Sequence, residues 1–268
     1  MKPSLLQKLI MIIVSMNFFY GINNNLFKSE IQIPLFQNRN FTKSNLKLFK
    51  SYPKNNKWIL QEISSKKIND YFYILKNEDI LSNEIFFLAD ETIFNEFDDK
   101  KLKNFNNFTD TSPAFRANFK IYLNQGGFSS YQSEYPYSMI TKKGTILSSI
   151  SSLANSDADK NYVLIKNIFE EPIEENFKAY LVNYKTKSIE EQFEIKTNYT
   201  NCIEISNKLI KPEIFLTTDK YLGIPMYVSV KNTFLSFEHT HPPHDYILSE
   251  NKFIKVTNLK KEINEIIS

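Results

Sequence analysis

The stretch Phe115-Arg116-Ala117-Asn118-Phe119-Lys120-Ile121-Tyr122-Leu123 decides the fold class. Phe115, Ala117, Phe119, Ile121 and Leu123 fall on one side of an extended chain, and Arg116, Asn118, Lys120 and Tyr122 on the other. A period of two is the mark of a strand with one face in a core and one in water. The same reading extends through the C-terminal half. It predicts strands at 146–153, 162–168, 177–182, 191–195, 202–205, 213–217, 224–231, 233–241 and 252–256, separated by turn-forming clusters such as Asn155-Ser156-Asp157 and Asn183-Tyr184-Lys185. Short strands without intervening helices indicate antiparallel pairing, so residues 112–268 are expected to form a β-sandwich or an open barrel. No fixed-period repeat is visible.

Upstream of Ser112 the pattern is less regular, and residues 1–111 are expected to be a smaller mixed α/β region. Apolar runs at Trp58-Ile59-Leu60, Tyr71 to Leu75 and Ile85 to Leu88 read as strands. Asp90-Glu91-Thr92 reads as a helix start, with Ile93, Phe94 and Phe97 at helical spacing. Residues 22–57 read as polar and irregular. Residues 100–111, rich in Lys, Asn and Asp and followed by Ser112-Pro113, read as a linker. At the N-terminus, Leu5, Leu9, Ile12, Ile13, Met16, Phe19 and Tyr20 line one face of a helix begun at Ser4. The competing reading of residues 1–21 is a signal peptide, but Phe18, Phe19 and Tyr20 stand where small cleavage-site residues belong. An integral helix and a cytoplasmic protein are the favoured pair; a signal would make the protein secreted or periplasmic. The run Leu9 to Val14 is well short of the ~20 residues that span a bilayer, so no transmembrane span is expected.

Composition excludes several classes. Charged residues at 24% and hydrophobic residues at 42% describe an ordinary globular chain, and aromatics at 15% favour packed sheet faces. A net charge of +3, with lysines scattered along the chain, is not the concentrated basic face of a nucleic-acid binder. The densest basic stretch, Lys43 to Lys57, reads as a solvated surface. Cys202 is the sole cysteine, which rules out an intramolecular disulfide and a cysteine-based zinc site; in the alternating Cys202-Ile203-Glu204-Ile205 it reads as a small core residue.

All three histidines lie in Glu238-His239-Thr240-His241-Pro242-Pro243-His244-Asp245. On a strand, His239 and His241 share a face with Leu235 and Phe237. Pro242-Pro243 ends the strand and lets His244 return as a third nitrogen ligand, with Glu238 or Asp245 behind. Zinc, or another divalent transition metal, suits three neutral imidazoles. The His-x-His pair resembles that of cupin metal strands, over this segment alone and without their flanking glycines. The plainer reading is an edge strand entering a rigid turn.

A second segment, Asn124 to Tyr137, carries Gly126-Gly127 among hydroxyls, amides and aromatics. Gln125, Ser129, Tyr131, Gln132, Glu134 and Tyr135 are candidate ligand contacts, since rings stack on sugars while amides and carboxylates bond their hydroxyls. Its structural reading, and the favoured one, is a Gly-Gly hairpin turn leading into a Tyr-rich strand. Phosphate-binding loops, nucleophile elbows and dinucleotide-binding alternation are missing. The leading functional expectation is therefore a binding or accessory protein for a glycan, a small ligand or a protein surface. The alternative is a metal-dependent hydrolase built on His239, His241 and His244, with Glu238 as general base. A structural subunit of an assembly is the third.

Overall fold

The computed structural model describes residues 17–35, 46–63, 71–103, 117–124, 126–132, 134–239 and 254–268. The chain is mainly β, and every strand pairing among the described residues is antiparallel. The N-terminal part supplies β1 (Asn17–Phe18), β2 (Phe27–Pro34), β3 (Lys47–Lys54), β4 (Lys57–Glu62), β5 (Phe72–Leu75) and β6 (Ile85–Ala89). After a single turn of helix, α1 (Ile93–Glu96), follow β7 (Asn118–Leu123), β8 (Phe128–Gln132), β9 (Tyr135–Pro136) and the short α2 (Tyr137–Ile140). The remainder holds β10 (Leu147–Ser149), β11 (Lys160–Lys166), β12 (Asn176–Asn183), β13 (Ser188–Lys196), β14 (Thr200–Ile205), β15 (Ile214–Thr218), β16 (Ile224–Lys231), β17 (Phe234–Glu238) and α3 (Ile254–Ile267).

Three four-stranded sheets dominate: a front sheet in the order β5-β2-β7-β8, a central sheet β14-β11-β16-β17, and a back sheet β10-β15-β12-β13. Strands β4-β3-β6 make a smaller sheet beside the front one, and no sheet of described residues closes on itself. The central sheet is buried on both faces, which explains why β11 and β16 read as continuous apolar runs rather than alternating ones. Tyr162, Leu164, Met226, Val228 and Phe237 enter a core shared with Phe27, Ile31, Phe119 and Ile121 of the front sheet. Val163, Ile165, Ile203, Ile205 and Tyr227 enter a second core shared with Ala179, Leu181, Ile195 and Leu216 of the back sheet. The outer side of the back sheet is covered by α3, where Ile263 and Leu259 lie against Tyr180, Val182 and Phe215.

Turn chemistry sets the register. Asn55 and Asn56, with φ of 53° and 58°, join β3 to β4 in two residues, as a hairpin of matching twist requires. At the β7–β8 hairpin, a Cβ on Gly127 would sit 2.4 Å from the Thr233 carbonyl oxygen, so only glycine admits the contact with the β16–β17 turn.

Three expectations are corrected. Residues 22–57 are not irregular throughout: they contain β2 and β3. The period of β2 was hidden because its inward row, Phe27-Ser29-Ile31-Ile33, includes a serine. Ser29 is fully buried, and its hydroxyl donates to the Ile22 carbonyl while accepting from the Ile22 amide. The N-terminal helix does not run to Tyr20, because Asn17–Phe18 is a strand and Phe19 bridges Phe86; residues 1–16 lie outside the described residues. Of the strand expected at 252–256, residues 254–256 instead begin α3, whose apolar positions 259, 263, 266 and 267 follow the helical period, and residues 252–253 lie outside the described residues. In the described residues upstream of 112, helix is limited to α1 and a 3-10 turn at Asn77–Asp79. Strand pairing also crosses residue 112, since β7 pairs with β2.

Candidate functional site on the outer face of the front sheet

Where the inner row of β2, β7 and β8 builds the core, the outer row builds a grid. Cross-strand register aligns Gln32 with Asn118 and Asn118 with Gln132 in one rung. Glu30, Lys120 and Ser130 form the next, and Lys28, Tyr122 and Phe128 the third. None of these nine side chains is buried. Side chains directly opposite on antiparallel strands are close enough to interact, and here they do.

Glu30 is the hub. Its carboxylate accepts from Gln32 Nε2 at 3.0 Å, from Lys120 Nζ at 3.3 Å and from the Tyr122 hydroxyl at 3.4 Å. Partial burial pushes the Glu30 carboxyl upward, but the Gln32 hydrogen bond and the Lys120 charge outweigh it and hold the group below the usual carboxylate range. The Lys120 ammonium also lies 5.6 Å from the Tyr122 ring centroid and 5.2 Å from that of Phe128. Those two rings are 5.9 Å apart and inclined at 46°. The result is an ionised acceptor, a cation and two aromatic rings, held to one another on one sheet face before any ligand arrives.

The candidates from the Gly-Gly segment do not share one face. Gln132 belongs to the outer grid. Ser129 and Tyr131 are paired with Ile121 and Phe119 and therefore turn inward. Tyr131 is half-buried, with Phe237 at 6.2 Å and the His239 ring at 3.9 Å. Tyr135 is fully buried in the front core, without the partial exposure a ligand-stacking ring needs. Glu134 is half-buried and adds to the effects that raise the pKa of the buried Tyr20 hydroxyl, behind burial itself and Tyr135. Gln125 lies outside the described residues. Glu30, Gln32, Asn118, Lys120 and Tyr122 were not singled out as contacts from the sequence. For Asn118, Lys120 and Tyr122 the only signal was the polar half of one alternating strand, and Glu30 and Gln32 lay in a stretch read as irregular.

Of the histidine cluster, only His239 is described. As strand periodicity predicts, it shares the side of Leu235 and Phe237, but that side is the core: His239 is 9% exposed and packs edge-on against Tyr131. Glu238 points the other way and is exposed. His241 and His244 lie outside the described residues, and among the described residues no three metal-ligating side chains gather.

Two further places carry chemistry-bearing groups. A cavity of about 310 Å³ is lined by Asn24, Ser82, Thr200, Asn201 and Cys202, but burial pushes the Cys202 thiol up to about 12, which makes it a poor nucleophile. Nearby, Lys166 ends β11 fully buried, its ammonium nitrogen 3.4 Å from the Ser82 carbonyl oxygen and 3.3 Å from that of Glu84. Burial lowers its pKa from 10.5 to about 7, with the nearby Glu84 charge opposing. No known protein family, curated protein or solved structure matches this chain. No described helix is long and apolar enough to cross a membrane.

Proposed function

We propose that the chain is a non-catalytic β-sandwich binding module, with its three main sheets stacked as layers, and that it holds a glycan on the outer face of β2, β7 and β8. One observation carries this reading: the preorganised Glu30–Gln32–Lys120–Tyr122 network, flanked by the amides of Asn118 and Gln132 and the hydroxyl of Ser130. A sugar presents hydroxyls that both donate and accept, with an apolar ring face. The grid offers a carboxylate acceptor, amide and ammonium donors and aromatic surface in one plane. Because the polar groups already hold one another, little side-chain ordering is left for binding to pay for.

Catalysis is disfavoured by the same geometry. Glycoside hydrolysis needs two carboxyl groups across the scissile bond, one of them protonated, whereas Glu30 is the grid's single carboxylate and is held ionised. The three-histidine hydrolase reading rests on His241 and His244, and its one described member is packed in the core.

A panel of immobilised neutral and charged oligosaccharides, probed with the full chain, tests the proposal. Wild type should bind a subset. Tyr122→Ala and Glu30→Gln should each weaken that binding by about tenfold, on the order of 1.4 kcal/mol, with thermal stability nearly unchanged. Binding to none of the panel would overturn it.

A further inference from the structure

Beside the grid, at one end of the front sheet, three turns meet. The Asn124 side-chain amide donates to the Asn25 carbonyl, tying the β7–β8 turn to the turn before β2. The Gly127 amide donates to the Thr233 carbonyl at 2.9 Å, tying it to the β16–β17 turn. Each of these turns, or the residue that leaves it, presents a large apolar side chain to solvent: Leu26 at 45% exposure, Phe128 at 61% and Phe234 at 74%. Phe234 is the most exposed large hydrophobic residue among those described. Three exposed apolar side chains carried on turns that are bonded to one another make this end a candidate interaction site.

Cations accompany the apolar tips. Lys28 shares a rung with Phe128, Lys231 is the cross-strand partner of Phe234, and the Lys120 ammonium lies over the Phe128 ring. Lys28 and Lys231 are exposed and form no ion pair among the described residues. Two carboxylates are near: Glu30 is paired with Lys120, and Asp159 accepts the Asn232 amide. Asp159 keeps its charge, so Lys28, Lys120 and Lys231 set against Glu30 and Asp159 leave these five groups with one net positive charge.

We propose that this end docks on an anionic lipid bilayer. Leu26, Phe128 and Phe234 enter the interfacial layer, and Lys28 and Lys231 lie at the level of the headgroup charge. The shape favours a lipid surface over a protein partner. Protein hot spots are buried where side chains fill pockets, whereas separate apolar residues at joined turns suit a phase that yields around each one. Lysines beside such residues add attraction to acidic headgroups and a dependence on salt. Phe128 and Lys28 are shared with the third rung of the grid, whereas Leu26, Lys231 and Phe234 lie outside it and separate this inference from the glycan reading.

Vesicle flotation with the full chain tests it, using phosphatidylcholine vesicles alone or with about a quarter phosphatidylserine. Wild type should float with the anionic vesicles, much less with the neutral ones, and less as salt rises. Phe234→Ser and Leu26→Ser should each reduce flotation by about tenfold, and Lys231→Glu should reduce it on anionic vesicles only. Thermal melts should match wild type, because the replaced side chains are exposed. The proposal is overturned if wild type does not float with anionic vesicles, or if both apolar variants float as it does. It is also overturned if sedimentation shows a dimer that Phe234→Ser dissolves, since a second copy would then be the occupant.

Discussion

Replacing Lys166 with methionine should make the protein more stable at neutral pH, although it deletes two hydrogen bonds. Lys166 is wholly buried, with its amine directed at the carbonyl oxygens of Ser82 and Glu84 and 5.8 Å from the Tyr20 ring centroid. The charged groups closest in this network are Glu84 and, beyond it, Lys50, whose ammonium is 2.5 Å from a Glu84 oxygen. A fall from 10.5 to about 7 means that folding must strip or strongly disfavour the proton. At 1.36 kcal/mol per pKa unit this costs on the order of 4 kcal/mol at pH 7. Two carbonyl hydrogen bonds return roughly 1 kcal/mol each, so Lys166→Met should gain about 2 kcal/mol. Glu84 keeps Lys50 and the Leu81 amide in the variant. The sign with pH follows from proton counting. Between about 7 and 10.5 the unfolded chain binds the extra proton, so wild-type stability rises with pH through that window and the penalty is fully present below it. The variant's relative stability should therefore fall by about 3 kcal/mol between roughly pH 7 and pH 9.5, turning its advantage into a deficit of about 1 kcal/mol. Urea denaturation of both proteins at the two pH values measures this. A variant less stable than wild type at pH 7, or an advantage that does not change with pH, refutes the reasoning.

Two further stability predictions follow from the packing. Phe119→Ala removes a fully buried ring that meets Tyr20 and Phe237 edge-on, and denaturant midpoints should report a loss of about 3–5 kcal/mol. Gly127→Ala drives a methyl into the Thr233 carbonyl and should cost roughly 1–3 kcal/mol, read as a lower melting temperature; an unchanged value would mean that the two turns separate freely.

Many of the strands were legible because one-sided burial leaves a period of two, as in β7. The central sheet was legible for a different reason: β11 and β16 are apolar on both faces, so length and flanking turns identified them. β2 and β3 were missed where polar residues occupy buried positions, Ser29 and Ser51 among them. α3 was misread because its first residues mimic a strand before the helical period becomes visible at Leu259 and Ile263. The binding grid was only half legible. Alternation showed that Asn118, Lys120 and Tyr122 point away from the core. It carried no information on which strand would lie beside them, and Glu30 and Gln32 arrive from about 90 residues away. His239 was placed on the right side of its strand, but whether that side faces core or solvent depends on the front sheet that covers it.

The glycan reading is tested most directly by amide chemical-shift mapping of the isotopically labelled full chain, titrated with an oligosaccharide selected from the panel. The account predicts saturable shifts concentrated at residues 28–32, 118–122 and 128–132, lost in Tyr122→Ala while the rest of the spectrum is retained. Saturable shifts centred on His239 and Tyr131, or binding that survives Tyr122→Ala unchanged, would contradict it.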